Sequence, residues 1–104
     1  RIESFARSLE RSRKMMRLLD AAIQLMRRRH KKGELYYWVL YYTYLSPQAY
    51  DGWRKILSAL EAHFPPMSRR SYYTYRTEAI ETLSSVLWGY TSRECAEVLN
   101  KLGL

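Results

Sequence analysis

Apolar residues return along the first quarter of the chain with a seven-residue beat. Ile2, Leu9, Met16 and Ile23 form one row, and Phe5, Ser12, Leu19 and Met26 form a second row offset by three. Two such rows make the seam of a helix over residues 2–32, with Ser12 its one polar member. Met15, Leu18, Ala22 and Leu25 widen the seam into a broader face. A stripe of this kind serves either of two arrangements. It pairs with a second copy as a coiled coil, or it folds back over the chain's own Trp53, Leu57 and Leu83. The run Arg27-Arg-Arg-His-Lys-Lys32 followed by Gly33 reads as the helix end, with cations at the favourable terminus and glycine as the stop.

Residues 34–45 (Glu-Leu-Tyr-Tyr-Trp-Val-Leu-Tyr-Tyr-Thr-Tyr-Leu) carry two signals. Their aromatic and β-branched density suits a strand. Leu35, Trp38, Val39, Tyr42 and Leu45 also share one helical face, and no partner strand is evident, so a helix is expected. Ser46 to Gly52 is a connector rich in turn residues. Trp53, Ile56, Leu57, Leu60 and Phe64 then repeat at helical spacing, and Pro65-Pro66 stops that helix. Ser68 is placed to cap the next helix, 68–88. Its buried stripe is Tyr72, Tyr75, Ala79, Ile80, Leu83, Val86 and Leu87, and Gly89 is its expected stop. Thr91-x-x-Glu94 has the form of a capping box opening a last helix with Cys95, Val98, Leu99 and Leu102 inward. The expectation is an all-α chain of five helices: a basic amphipathic N-terminal helix (1–33) and a helical domain (34–104).

A chain of 104 residues suits one small core. Its charge is uneven. Residues 1–32 hold 11 Lys/Arg and 3 Asp/Glu, and residues 33–104 hold 7 of each. The whole excess of +8 therefore lies in the first third. Asymmetry of this sort points to a polyanionic partner, with a plain solvated helix face as the bland alternative. Cys95 is the one cysteine, which excludes an intramolecular disulfide and suits a reducing, cytoplasmic setting. No apolar run reaches the roughly 18–20 residues that span a bilayer. The opening Arg1-Ile-Glu-Ser-Phe lacks a signal-peptide core, and the missing initiator methionine fits a fragment of a longer chain.

The start of helix 68–88 carries the sharpest chemistry. Arg69, Arg70 and Arg76 precede or surround a segment with no acid before Glu78, although cations sit poorly near the positive end of a helix dipole. An external polyanion would relieve that conflict. Arg69 and Arg70 can meet guanine O6/N7 or phosphate. Ser68 and Ser71, with Tyr73, Thr74 and Thr77, offer hydroxyls to the same face. Arg76 has no acidic neighbour at helical spacing. Tyr72 and Tyr75 are expected in the core. The cluster Arg27, Arg28, Arg29, Lys31 and Lys32 is the candidate for non-specific phosphate contact. Helices 34–45, 52–64 and 68–88, the last two separated by residues 65–67, have the order of a helix-turn-helix unit.

Leu35-Tyr-Tyr-Trp-Val-Leu-Tyr-Tyr-Thr-Tyr-Leu45, Ile56-x-x-x-Leu60 and Ser68-x-x-Ser-Tyr-Tyr-x-Tyr-Arg-x-Glu-Ala-Ile-x-x-Leu83 together resemble region 4 of sigma factors. More closely they resemble the sigma-region-4-like phage regulators of the ArpU and RinA type, over residues 34–88. The resemblance implies a sequence-specific double-stranded DNA-binding regulator of phage or prophage transcription in a Gram-positive bacterium. RNA polymerase is then a second expected partner.

Other chemistry finds little footing. His30 and His63 stand apart, no Cys/His pair has metal spacing, and no glycine-rich phosphate loop exists, so neither a cofactor, a metal nor an enzymatic activity is expected. Two further readings remain open. The Tyr-rich helix and the N-terminal stripe can form a protein-binding module acting on a transcription or phage-assembly partner. A basic amphipathic helix can also lie on a membrane. Residues 1–32 contain no Trp and one Phe, which counts against the membrane.

Overall fold

The structure, a computed structural model, describes residues 2–91. The described chain is all-helical, as the periodicity leads one to expect. Helix α1 is Ile2–Arg29, α2 is Gly33–Leu40 and continues as a π-helical segment Tyr41–Leu45, α3 is Trp53–Leu60 and α4 is Arg69–Thr91. The expected last helix, with Cys95, Val98, Leu99 and Leu102, lies outside the described residues.

Gly33 corrects the reading of the sequence. It opens α2 rather than stopping α1, and its φ is not positive. A Cβ at this position would lie 2.2 Å from the Arg27 carbonyl oxygen and 2.5 Å from that of Met26. The start of α2 therefore presses on the carbonyl end of α1, and only a residue without a side chain permits that approach. The turn is closed by Gly33 N donating to His30 O at 2.9 Å and Tyr36 N donating to Lys32 O at 2.9 Å.

Segment 34–45 is helical throughout, but its last turn widens. The Thr43 hydroxyl donates to the Val39 carbonyl at 2.6 Å, taking the acceptor that an α-helical amide would use. The ladder then reaches one residue further, as in Ser46 N to Tyr41 O at 2.8 Å.

Helix α3 ends at Leu60, four residues short of expectation. Residues 61–64 continue in tighter bonds, such as His63 N to Leu60 O at 3.0 Å. Phe64 precedes a proline, where the α conformation is disfavoured. The link to α4 is therefore 61–68, not the three residues read from the sequence. Gly52, at φ 87°, supplies the left-handed turn into α3.

Ser68 caps α4 as expected: its Oγ accepts from Ser71 N at 3.0 Å. Gly89 is no stop, because α4 runs through it to Thr91. Thr91 is the last described residue of α4, and the capping box it was expected to begin runs into residues outside the described ones.

Two apolar clusters meet across α2. Met26, Tyr36, Leu40 and Ala79 form the first, joined by Leu35, Leu83 and Val86. Val39, Ile56, Leu60 and Tyr72 form the second, with Trp53 and Leu57 at its edge. The inner part of α1 (Ala22, Ile23 and Met26) is buried in this chain. It packs beside Leu83 but not on Trp53 or Leu57, which belong to the other cluster. Met15 and Met16 stay 62% and 61% exposed. The stripe is thus covered at Ala22, Ile23 and Met26 and open at Met15 and Met16. Ile80, expected in the buried stripe of α4, is also exposed.

Candidate nucleic-acid interface

The first two turns of α4 present Arg70, Tyr73, Thr74 and Thr77 along an open depression that ends at Glu78. Arg70, Thr74 and Thr77 are exposed and Tyr73 is half-buried. The spacing of three and four residues places these side chains on one face. Ser68 and Ser71 are occupied at the cap, where the Ser68 hydroxyl also donates to Ser71 Oγ at 3.0 Å. The Thr77 hydroxyl donates to the Tyr73 carbonyl at 3.1 Å, which leaves its lone pairs outward.

The arginines of this region are held by rings. Arg69 lies over Trp53 of α3 at 4.8 Å and over Tyr73 at 5.6 Å from the ring centroids. Arg76 lies over Tyr73 at 4.7 Å and Tyr72 at 5.9 Å. Arg54 lies over the Trp53 ring at 5.1 Å. Among the described residues, none of these guanidiniums forms an ion pair. Each is within the range of favourable cation–ring attraction. The sequence pattern marks Trp53 as a core residue and gives Arg54 no role. The adjacent Trp-Arg pair at the first turn of a helix was the available signal.

The basic cluster at the end of α1 is split by its neighbours. Arg27 is turned to Glu34, with Nε donating to Oε1 at 2.6 Å, and its guanidinium lies 4.0 Å over the Tyr37 ring. This hydrogen bond holds the Glu34 carboxyl below the usual range. Trp38 Nε1 also donates to Glu34 at 3.2 Å, and its ring stacks on His63 at 3.8 Å. His63 in turn shares a hydrogen bond with the Tyr42 hydroxyl at 2.8 Å. The two histidines that looked isolated in sequence are therefore ring partners, His30 with Tyr36 at 5.0 Å. Arg28, Arg29 and Lys31 are exposed. Lys32 is drawn to α4, 3.8 Å from Glu78 and 5.9 Å over the Tyr75 ring.

Glu78 is the acid nearest the depression, and it is compensated. The buried Tyr36 donates its hydroxyl to Glu78 Oε2 at 2.7 Å. Burial first, and this bond to a carboxylate second, push the Tyr36 phenol up to about 12.

Among the described residues no group of His, Cys, Asp or Glu is placed to hold a metal ion, and no helix is long and apolar enough to cross a membrane. Comparisons with family models, curated proteins and solved structures find no match.

Proposed function

We propose that the chain is a non-enzymatic, cytoplasmic transcription regulator that binds double-stranded DNA through the first turns of α4. Its likeness to sigma-region-4-like phage regulators rests on the residues quoted above. The observation that carries the reading is the surface around Arg69, Arg70 and Arg76. Three guanidiniums stand together with no carboxylate partner among the described residues, beside a row of hydroxyls on one helix face. A surface of this kind suits a major-groove reader whose helix N-terminus faces the bases. Arg28, Arg29 and Lys31 supply phosphate contacts, and RNA polymerase is the second partner of such a regulator.

The test is fluorescence anisotropy with duplexes from upstream of the chain's own reading frame and with scrambled duplexes, at several salt concentrations. Tighter binding to one upstream duplex, with log affinity falling linearly in log salt, is expected. Absence of binding to every duplex at low salt overturns the reading.

The open outer stretch of α1 favours a second element: a two-fold dimer that matches a palindromic site. Met15 and Met16 are exposed there, and the sequence stripe continues through Leu9, Phe5 and Ile2. A protein-interaction module using this same surface, without DNA, is the competing reading. Salt-insensitive behaviour towards DNA together with pairing through α1 would favour it.

A further inference from the structure

Arg54, Trp53, Arg69, Tyr73 and Arg76 form a ladder in which cation and ring alternate. It starts on α3, crosses to α4 and ends two turns along that helix. Its four steps measure 5.1, 4.8, 5.6 and 4.7 Å from guanidinium carbon to ring centroid. We infer that this ladder is the clamp for the phosphodiester backbone of the bound strand, that Trp53 and Tyr73 are its positioning residues, and that Arg70 alone of the α4 arginines reads a base. The inference rests on the DNA-binding reading and divides its residues into two jobs.

The argument is geometric. A guanidinium stacked on a ring engages its face, while its N–H donors point outward in the guanidinium plane. Those edge donors match the paired oxygens of a phosphate. The stack therefore need not break when phosphate binds. Arginine is rotamer-rich, and freezing it is a cost of binding that prior stacking reduces. Without the rings, three neighbouring cations would repel one another and spread into solvent. The rings gather them in a row, and no described carboxylate pairs with any of them. Arg70 differs. It is exposed, lies over no described ring, and lines the depression with Thr74 and Thr77, which are free of the ladder. A side chain that keeps its reach can adapt to a base edge; one locked between two rings suits a regular backbone.

The experiment uses the full chain, a duplex enriched by in vitro selection from a random pool, and a scrambled duplex of the same composition. Affinity is measured against salt for the wild type and for Arg54→Gln, Arg69→Gln, Arg76→Gln, Arg70→Gln, Trp53→Leu and Trp53→Phe. Each ladder arginine variant should weaken both duplexes by the same factor and lower the salt slope by about 0.9. Trp53→Leu keeps every charge, so it should weaken both duplexes roughly 3- to 10-fold, the span of one cation–ring contact, with the slope nearly unchanged. Trp53→Phe should recover most of that loss. Arg70→Gln should weaken the selected duplex far more than the scrambled one. The ladder is overturned if Arg54→Gln, an exposed change outside the buried core, keeps the wild-type slope, or if Arg69→Gln alters the ratio between duplexes as Arg70→Gln does. Arg54 keeps the test decisive even if a Trp53 variant fails to fold. A wild type that binds neither duplex removes the DNA-binding reading and the ladder with it. A wild type that binds normally while the ladder variants match it removes the ladder only.

Discussion

Gly33 and Tyr36 sit three residues apart and do different work at the same corner. Gly33 lets the start of α2 touch the carbonyls of Arg27 and Met26. Gly33→Ala forces a methyl against backbone that has no rotamer to yield, so α1 and α2 must separate. A loss of roughly 1–3 kcal/mol is expected, within the range for overpacked sites. Urea denaturation measures it, and a wild-type midpoint would mean that the corner is soft. Tyr36 supplies a pH signature. Its phenol is held neutral up to about 12, above the ordinary value of about 10. The folded state therefore keeps a proton that the unfolded state gives up first. This contribution is complete below about pH 10 and is lost as pH rises through about 12. Tyr36→Phe lacks the titrating group. Urea midpoints across that window should fall more steeply for the wild type than for the variant, and parallel curves would show that burial and the bond to Glu78 do not raise the Tyr36 phenol.

Among the elements, the end of α1 and the turn after it carry cations of two kinds. Arg27 is committed to Glu34 and to the Tyr37 ring, whereas Arg28 and Arg29 stand in solvent. If the cluster meets phosphate, Arg28→Gln with Arg29→Gln should lower the salt slope of DNA binding by about 0.9 per charge in contact. Arg27→Gln should change that slope less and loosen the α1–α2 corner instead, seen as a lower thermal midpoint. The reverse pattern would place Arg27 on DNA and the other two away from it. The density of this cluster was plain in the sequence. Which of its members is already engaged was not, because Glu34 lies seven residues on and beyond a corner that no periodicity describes.

The described residues of the molecule extend 47 Å along the longest axis and only 18 Å along the shortest. A helix of 28 residues at about 1.5 Å per residue accounts for most of that length. Its inner end joins the core, and its outer stretch carries Met15 and Met16 in solvent. If that stretch pairs two copies, Met15→Glu with Met16→Glu should convert a dimer into a folded monomer, since neither side chain supports the core. Sedimentation equilibrium at tens of micromolar, about the range where weak interfaces show, decides it. A wild-type monomer there would end the dimer proposal, and a variant that stays dimeric would move the interface off this face.

Helix identity was legible in residues near one another in the chain: the i, i+3, i+4 rows, the Ser68 cap, and the Pro65-Pro66 stop. These signals act within a turn or two, where backbone hydrogen bonds are local, and so a single sequence carries them. Segment 34–45 was settled the same way, by a shared face, although its π-helical turn was not. That turn needs Thr43, whose hydroxyl lies 2.8 Å from the Tyr72 hydroxyl of α4, a partner 29 residues away. The candidate surface divides along the same line. Its arginines and hydroxyls were readable from the basic start of α4. Their arrangement was not, because the ring beneath Arg69 belongs to Trp53 on another helix and the acid at the end of the groove is compensated from α2. The corner at Gly33 and the division of the α1 stripe into covered and open parts belong to this second class. They were decided by packing between segments distant in sequence, where steric exclusion and burial act and periodicity has nothing to say.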